Sequence, residues 1–514
     1  MAEPRGGVAR QTASAPSDIA AIALEHYRSG DLRLAAKIAL AAIASGDRDT
    51  PALAELAARS AIRTGDAGVL DRALDAIRPG RGDDPRRWLR GAFLVRYDSN
   101  PEEGFSLLRD SLGSEPSGTA AEVAYHLAVG FWNRRELEAA ESLVQRYIGN
   151  AVGVNAVELE QMLGWIESAR ERYAFAGRHF ADALAKLDAT GERDDWGRAR
   201  VMQALSAVAL QTLDLRALSQ LAVPEGRVGD EAREPMFQTL QNVAWLRMLD
   251  GDESGALIEI ERARSVAPTP ALVAAANVNL VQYFRIRGDA GAARMYLQLA
   301  GEALRSQRWT DANIEERVTL LEYALEASRL EPTLAGPTLT RYLSGTRKRR
   351  ATLAFENDRR VQAVELTARG ALEVFHKRYR EAAHFFHEAL DLWAKLGYRY
   401  REAVTALMLD DVSPGDEGVR DAARRATAGI PKSWLRREVE RRSVRVSSGY
   451  DALSPAERRV MLAICEGKTS KQIAADFGRS FHTIRNQTLK VYATMGVRTR
   501  SALVAECARL GLLR

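Results

Sequence analysis

The sequence is poor in the residues that small secreted or metal-binding proteins depend on. Only two cysteines, Cys465 and Cys507, occur in 514 residues, which is too few for a disulfide framework or a four-cysteine zinc site. A reducing compartment, the cytoplasm, fits this composition best. Aromatic residues make up only 7% of the chain and there are 16 prolines. Such a sequence, rich in Ala, Leu and Arg, predicts helices that pack through small side chains.

Long apolar runs are also missing. The longest, residues 271–284, is shorter than the roughly 20 residues of a membrane-spanning helix, and Asn277 and Asn279 interrupt it. Residues 1–17 hold scattered Gly, Ser and Pro but no apolar core of a secretion signal. We therefore expect a disordered tail over residues 1–17 and no membrane segment.

Charge is unevenly distributed along the chain. The net charge is +5, but residues 450–514 alone carry eleven Lys/Arg against five Asp/Glu, a net +6. The first 449 residues therefore sum to about −1 by subtraction. At about 150 residues per domain, the length allows a long repeat array and a separate module. A small basic module on a nearly neutral body points to nucleic acid as a partner.

A turn followed by small residues recurs along the body with a period close to 35 residues. The turns fall at Gly30–Asp31, Gly65–Asp66, Arg134–Arg135, Ala169–Arg170, Gly251–Asp252, Gly288–Asp289 and Lys377–Arg378. A helix, a short turn and a second helix occupy about this length. The pattern predicts an all-α fold in which an α-solenoid of helical hairpins covers residues 18–410, with residues 305–370 irregular. Residues 411–449 are expected to be the array's end and a linker, with one helix around residues 434–442.

The recurring small and aromatic positions resemble the tetratricopeptide repeat, although no single copy meets the family's full pattern. The resemblance implies a concave surface that holds a peptide or partner protein. The array's own partner, a protein or a small molecule, stays unknown at this stage. The alternative is that the array is only a spacer or a dimerisation body.

Three further candidate sites are weak. Gly467–Thr469 match the last three positions of a phosphate-binding loop, but Leu462 stands where its first glycine is needed. His376, His384 and His387 could share a metal, yet ordinary helix histidines are favoured. The basic run 347–350 is interpreted as a solvated surface rather than a second nucleic-acid patch. We expect no metal, no cofactor and no enzymatic activity.

The C-terminal 65 residues contain a series of helix caps. Ser454 with Glu457 and Thr469 with Gln472 have capping-box spacing. Further caps are expected at Ser480 and Thr499, and helix ends at Gly467, Gly478, Gly496 and Gly511. These signals predict four short helices, the second and third joined as a helix-turn-helix.

The segments LSPAE (453–457), EGKTSKQIA (466–474), RSFHTIRN (479–486) and MGVRTR (495–500) resemble the LuxR/GerE-type DNA-binding domain in order and spacing. The resemblance covers about 65 residues and implies a recognition helix from about Phe481 to Met495. Thr488 and Leu489 stand in the opposite order to the family's usual one. The residues expected to contact double-stranded DNA are Thr469, Lys471, Ser480, Thr483, Arg485, Asn486, Gln487, Leu489, Lys490, Arg498 and Arg500. The fourth helix implies a homodimer on DNA, through Leu503, Val504, Cys507 and Leu510.

These observations predict a bacterial, cytoplasmic transcription regulator, in which a repeat array that senses a signal or binds a partner is joined to a dimerising DNA-binding domain. Activation is favoured over repression only by family analogy. The alternative is a protein-interaction scaffold with a weakly used DNA-binding domain.

Overall fold

The computed structural model describes residues 18–47, 49–78, 84–98, 101–112, 118–223, 226, 228–305, 314–331, 340, 355–414, 416–445, 449–450, 452–510 and 512–513. The predicted tail, the basic run 347–350 and Gly511 lie outside them. Within these ranges the regular elements are all helices, which confirms the predicted all-α fold. No helix among the described residues is both long and apolar enough to cross a membrane.

The helices divide between two compact units of the chain. The first unit comprises the described residues up to Thr212 together with Arg216–Val243 and Ile258–Ala276, and the second comprises Leu213–Leu215, Ala244–Leu257 and the described residues from Asn277 onward. The helices that begin before Thr212 are α1 (Asp18–Ser29), α2 (Leu32–Ala44), α3 (Thr50–Thr64), α4 (Ala67–Ala76), α5 (Pro85–Tyr97), α6 (Glu102–Ser111), α7 (Gly118–Asn133), α8 (Leu137–Ile148), α9 (Gly153–Ala169), α10 (Tyr173–Thr190) and α11 (Asp195–Thr212).

The remaining helices run to the C-terminus. Two short 3-10 turns, Leu215–Ser219 and Asp230–Ala232, precede α12. The helices are α12 (Arg233–Asp250), α13 (Glu253–Val266), α14 (Pro270–Ile286), α15 (Ala290–Arg305), α16 (Ile314–Leu330), α17 (Phe355–Phe375), α18 (Tyr379–Lys395), α19 (Arg399–Val412), α20 (Glu417–Ala426), α21 (Trp434–Arg445), α22 (Pro455–Cys465), α23 (Ser470–Phe477), α24 (Phe481–Thr494) and α25 (Arg500–Arg509).

Consecutive helices of the first unit pair as hairpins, and the odd-numbered helices also contact one another. Helix α9 packs along α10, and α1, α3, α5 and α7 each contact the next odd-numbered helix. Small residues make this close packing possible, because Ala39, Ala57, Ala61 and Ala92 are all buried in the shared core. The first unit is therefore a stack of helical hairpins with the odd-numbered helices in one layer.

One pair in the first unit shows how a missing side chain sets the hairpin spacing. A Cβ atom added to Gly164 on α9 would overlap the ring of Phe180 on α10. Phe180 is fully buried and stands edge-on to Trp165, 5.1 Å between ring centroids. Gly370 and Phe386 repeat the same arrangement, with the same spacing of sixteen residues, in the second unit. The glycine provides the hollow into which the aromatic ring of the partner helix fits.

The first helix of the first unit also contacts α11. The backbone N–H of Gly229 donates to the Ser29 carbonyl at 3.2 Å. A Cβ on Gly229 would overlap the backbone of Ser29 and Gly30. The Asp31 carboxylate accepts from the backbone N–H of Asp230 at 2.9 Å, and Arg33 pairs with Glu231 at 2.9 Å. Helix α11 and residues 229–231 therefore bring the chain back to the start of the hairpin stack.

The hairpin turns share one backbone conformation whichever residue occupies them. Gly30, Gly65, Gly251 and Gly288 have φ values of 85°, 75°, 91° and 82°, and Arg135, Glu171 and Lys377 have 64°, 61° and 59°. All seven lie in the left-handed region, which costs an L residue roughly 1–2 kcal/mol. The turns coincide with the predicted ones, except that Glu171 follows the predicted Ala169–Arg170 by one residue. The backbone, more than the glycine, is the repeating feature.

Lys377→Gly is therefore expected to stabilise the second unit by about 0.5–1 kcal/mol, the relief of left-handed strain less the entropy that glycine adds to the unfolded chain. Gly288→Ala, at the equivalent turn of the same unit, has no atom within 4 Å of the added Cβ and should destabilise by about 1 kcal/mol through backbone strain alone. Urea unfolding of the two variants beside the unmodified protein measures both shifts. Shifts of the same sign would show that the turn conformation is not what limits stability.

The second unit continues to the C-terminus with more helices than the sequence predicted. Helix α21 matches the helix expected around residues 434–442, but α20 was not anticipated. Val419 of α20 and Val439 of α21 are buried in one core with Phe386 and Leu409. Most of the segment predicted as array end and linker is therefore packed helix.

Candidate nucleic-acid interface

The four C-terminal helices begin at the predicted caps. Both halves of the capping box are present at Ser454 with Glu457 and at Thr469 with Gln472. Ser480 accepts from the backbone N–H of Thr483 at 3.1 Å, and Thr499 accepts from Ala502 at 3.1 Å. These bonds satisfy backbone donors that a helix start otherwise leaves unpaired. Local sequence alone therefore determines where each helix starts.

A small apolar core holds α22, α23, α24 and α25 together. Its buried members include Val460, Met461 and Ile464 of α22, and Ile473 of α23. Helix α24 contributes Ile484 and Val491, which are its only buried residues. Tyr492 packs against this core as well, while most of the other side chains of α24 are exposed, as a helix that enters a DNA groove requires.

A tight turn connects α23 to α24. Gly478 ends α23 with φ 58°, and the backbone N–H of Arg479 bonds back to the Ala474 carbonyl at 3.0 Å. Ser480 then caps α24 immediately. The helix-turn-helix predicted from the sequence is present.

An ion pair fixes α24 against α22. Lys490 lies 2.8 Å from Glu457, and the backbone N–H of Ser454 donates to the other oxygen of that carboxylate at 2.7 Å. The Lys490 ammonium and these Ser454 bonds hold the pKa of Glu457 down to about 2. Lys490 was predicted to contact DNA, but the structure engages its ammonium in orienting the helix.

The outer side of α24 presents the residues predicted to contact bases. Arg485 and Asn486 are exposed and Gln487 is half-buried. Leu489 is 58% exposed, while the Thr488 hydroxyl donates to the Ile484 carbonyl at 2.8 Å. Thr488 therefore turns towards its own helix and Leu489 outwards. Despite the exchanged order of this pair, the helix keeps an apolar side chain on the face that carries Arg485.

The residues predicted to contact phosphates stand at helix starts. Thr469 and Ser480 are N-caps, and the Thr483 hydroxyl lies 2.8 Å from that of Ser480. Lys471 is exposed in the first turn of α23. Backbone N–H groups and the positive end of the helix dipole favour an anion at such positions.

Two arginines after α24 differ in their surroundings. Arg500 is half-buried, and its guanidinium donates to the Ile464 carbonyl at 2.5 Å. It therefore caps the end of α22. Arg498 is exposed, and no side-chain bond to it is found within the described part of the chain. The same holds for Lys471 and Arg485, so these three cations are available to a ligand.

The structure corrects the predicted dimer surface. Leu503, Cys507 and Leu510 are buried in the core of their own four-helix module, which leaves them no surface for a second subunit. Their spacing marks the inner side of α25. Val504 is half-buried, and among the residues of this helix whose exposure is described Ser501, Ala505 and Ala508 are exposed. A dimer through α25 has to use this opposite side.

The remaining candidate groups of the sequence are structural. The Lys468 ammonium pairs with the Asp476 carboxylate at 2.9 Å, and Lys468 follows a helix instead of the strand that precedes a phosphate-binding loop. The two cysteines are free thiols, Cys507 buried and Cys465 half-buried. A hydrogen bond between the two side chains lowers the pKa of Cys465 and raises the pKa of Cys507. His384 pairs with Glu388 at 3.3 Å. Among the described residues no group of three or more His, Cys, Asp or Glu could hold a metal ion.

One arginine, which the sequence did not single out, joins this module to the helices before it. Arg458 of α22 is 8% exposed. Its guanidinium donates to the Pro414 carbonyl at 3.0 Å and to the Tyr450 carbonyl at 3.3 Å, and lies 4.8 Å from the Tyr450 ring centre. The only sequence signal was its place in an otherwise amphipathic helix. Arg458 fastens the four-helix module to the end of α19.

Comparison with known protein families agrees with this geometry. Residues 451–506 match the family described as bacterial regulatory proteins, luxR family. The C-terminal module is thus a LuxR-type helix-turn-helix domain, which confirms the resemblance drawn from the sequence. This class of domain binds DNA, so the chain has the DNA-binding part of a transcription regulator.

Solved helical proteins are similar in fold to large parts of the chain at low sequence identity. A Rap protein crystallised with competence and sporulation factor is 11% identical, covers 65% of this chain and 98% of its own, and has a TM-score of 0.36. The Cut9–Hcn1 hetero-tetramer of the APC/C is 14% identical, with 83% and 92% covered and a TM-score of 0.28. No curated protein matches the chain in sequence.

Proposed function

We propose that this protein is a sequence-specific DNA-binding transcription regulator of the bacterial cytoplasm, whose helical array senses a signal or binds a partner. One observation carries the proposal: α24 exposes Arg485, Asn486 and Leu489 while Ile484 and Val491 hold its other side in the core. The matched family is regulatory rather than enzymatic, and we propose no catalytic role.

In this proposal α24 lies in the major groove. Arg485 donates two hydrogen bonds to the edge of a guanine, Asn486 pairs with an adenine or serves a phosphate, and Leu489 touches a thymine methyl group. Gln487 adds a polar contact at the groove's edge. Such contacts specify sequence because each base pair presents a distinct donor and acceptor pattern there.

The helix starts would supply the contacts that position the module. Thr469, Lys471, Ser480 and Thr483 bind phosphates beside the groove, and Arg498 adds charge. Lys490 and Arg500 act mainly through the structure, because each already has a partner inside the module. Two copies bind together on DNA through the outer side of α25, where small residues permit close approach.

The fragment of residues 450–514 is expected to bind DNA by itself, because its helices carry their own caps and its core is self-contained. A gel shift and footprint with genomic fragments, on the 65-residue piece and on the full chain, measures this. Both should protect the same sequences. Weak retention that is independent of sequence, in both proteins, would favour a protein-interaction scaffold instead.

Should the fragment alone fail while the full chain binds, the Arg458 contact to Pro414 is the first feature to test. Arg458→Lys keeps the charge but not the two carbonyl contacts, and comparing its footprint in the full chain separates a folding role from direct DNA contact.

A further inference from the structure

The first unit has an open cavity of about 240 Å³ on the side formed by its odd-numbered helices. Every one of these helices from α1 to α9 contributes to its wall, and the segment before and at the start of α11 completes it. The residues that line the cavity include Tyr27, Arg63, Arg96, His126, Glu158 and Trp196. Successive members stand roughly one repeat apart in the sequence. The wall is thus built from corresponding positions of successive hairpins.

Arg63 is the central cation of this cavity. Its guanidinium lies 4.8 Å from the ring centre of Tyr27 and 4.4 Å from that of Trp196. The nearest carboxylates, of Glu158 and Asp194, are 3.5 and 3.6 Å away. These distances are too long for strong hydrogen bonds. Its Nη1 atom is buried and has no hydrogen-bond partner among the described residues.

Arg96 is a second cation with an unused donor. Its Nε atom is buried without a hydrogen-bond partner in the described structure, and its Nη2 lies 3.3 Å from Nδ1 of His126. Burial and the neighbouring Arg96, Arg59 and Arg63 cations hold the pKa of His126 well below its usual value, so this ring stays neutral. Arg59, by contrast, is fully engaged by Glu122 at 2.9 and 3.1 Å.

The carboxylates of the cavity do not balance these cations. Burial raises the pKa of Glu158 to about 7, so this group is partly protonated near neutrality. The Asp194 carboxylate accepts from the backbone N–H of Gly197 at 2.9 Å and so caps α11. The lining of the cavity has five arginines against four acidic residues, and one of the four, Glu158, is partly protonated. Arg63 and Arg96 therefore face a cavity with one aromatic wall and an excess of positive charge. An unpaired buried donor is costly unless a ligand binds it.

We propose that this cavity binds a small aromatic carboxylate, whose carboxylate meets Arg63 and Arg96 and whose ring lies against Tyr27 and Trp196. This inference rests on the proposed function and names the chemical class of its signal. The cavity, at about 240 Å³, is somewhat smaller than the roughly 300–1,000 Å³ of typical ligand pockets, which limits the ligand to a molecule of one or two rings.

The test uses the purified full-length protein and two probes, benzoate and indole-3-acetate, with benzamide and indole-3-acetamide as uncharged counterparts. Isothermal calorimetry should detect at least one of the two acids, and the matching amide should bind at least tenfold more weakly. Arg63→Gln should weaken binding of that acid at least tenfold. Arg87→Gln is the matched control, because Arg87 lies in the same unit, outside the cavity, and pairs with Asp110 on the surface.

A pH series supplies a readout that misfolding cannot mimic. Arg63, Arg96, Tyr27, Glu122 and Asp194 face Glu158 from the surrounding elements. As the pH rises from 6 to 8, Glu158 ionises and competes for Arg63, so affinity for the acid should fall several-fold. Glu158→Gln should bind about as well at pH 8 as at pH 6. An affinity of the unmodified protein that rises with pH would overturn the proposal.

Equal affinity for acid and amide, or no binding of either acid, would also overturn it. If Arg63→Gln fails to fold by circular dichroism, the comparison of acid with amide on the unmodified protein still decides. A gel shift on the same preparation separates this inference from the proposed function. Binding of the acid without sequence-specific DNA retention would contradict the proposed regulator function and support the ligand site. Sequence-specific DNA retention without binding of either acid would support the regulator function and contradict the ligand site.

Discussion

Arg485→Ala is expected to weaken binding to the specific DNA site by about 1–3 kcal/mol, or roughly 5- to 150-fold, and to change binding to random DNA little. Arg485 follows the buried Ile484, so the core fixes the backbone beneath it while its guanidinium points outwards. An anchored arginine of this kind can donate two bonds to one guanine. Competition titrations with specific and random duplexes at fixed salt measure the two affinities separately.

Lys471→Ala is the matched control for that substitution. Lys471 is an exposed cation too, but it stands in the first turn of α23, where phosphate contact is expected and base contact is not. Its removal should weaken specific and random DNA alike and reduce the salt slope of log K by about one. If both variants lost affinity equally on every sequence, Arg485 would not contact a base, and a rotation of α24 at Thr488 and Leu489 would be the first explanation to test.

Phe180→Ala should destabilise the first unit by about 3–5 kcal/mol, because a fully buried ring is removed and a cavity remains. Gly164→Ala alone should cost about 1–3 kcal/mol, since its methyl group would overlap that ring. In the Phe180→Ala background, however, the same Gly164→Ala change should stabilise by about 1 kcal/mol, because the hollow is empty and alanine favours helix. Urea unfolding of the four proteins of this cycle measures the reversal of sign.

The equivalent cycle on Gly370 and Phe386 in the second unit should behave in the same way, because the overlap there is alike. If Gly164→Ala remained destabilising without the ring, the helix contact itself, and not the fit of glycine to aromatic, would determine the spacing of the hairpin.

Much of the C-terminal module could be predicted because its signals are local. A cap such as Ser454 needs only Glu457 three residues later, and a helix end needs only a left-handed residue such as Gly478. The burial of individual side chains was harder to predict from the sequence. Leu503, Cys507 and Leu510 follow a helical period, but the period cannot say whether their apolar side faces its own domain or another copy. The structure places them in the domain's own core.

The cavity of the first unit was missed for a different reason. Arg63, Arg96 and Glu158 come from three helices spread over nearly a hundred residues, and each alone is an unremarkable charged residue on a helix. Only the stacking of hairpins brings them together. A usable signal was present, because polar residues recur near corresponding positions of successive repeats, where apolar residues would be expected. The turns at Arg135 and Lys377 were predicted from the repeat, but their left-handed backbone conformation was not, since glycine was the only marker of that conformation in the sequence.

The contact between α1 and α11 limits how this protein can change in length. An open solenoid can gain or lose a hairpin at its end or middle, because each repeat touches only its neighbours. In the first unit, one added or deleted hairpin would pull Gly229 away from the Ser29 carbonyl and break the pairing of Arg33 with Glu231. The contacts between the start and the end of the stack therefore constrain the number of hairpins in this unit. Residues that line the cavity can therefore change in evolution far more freely than the number of hairpins in the stack.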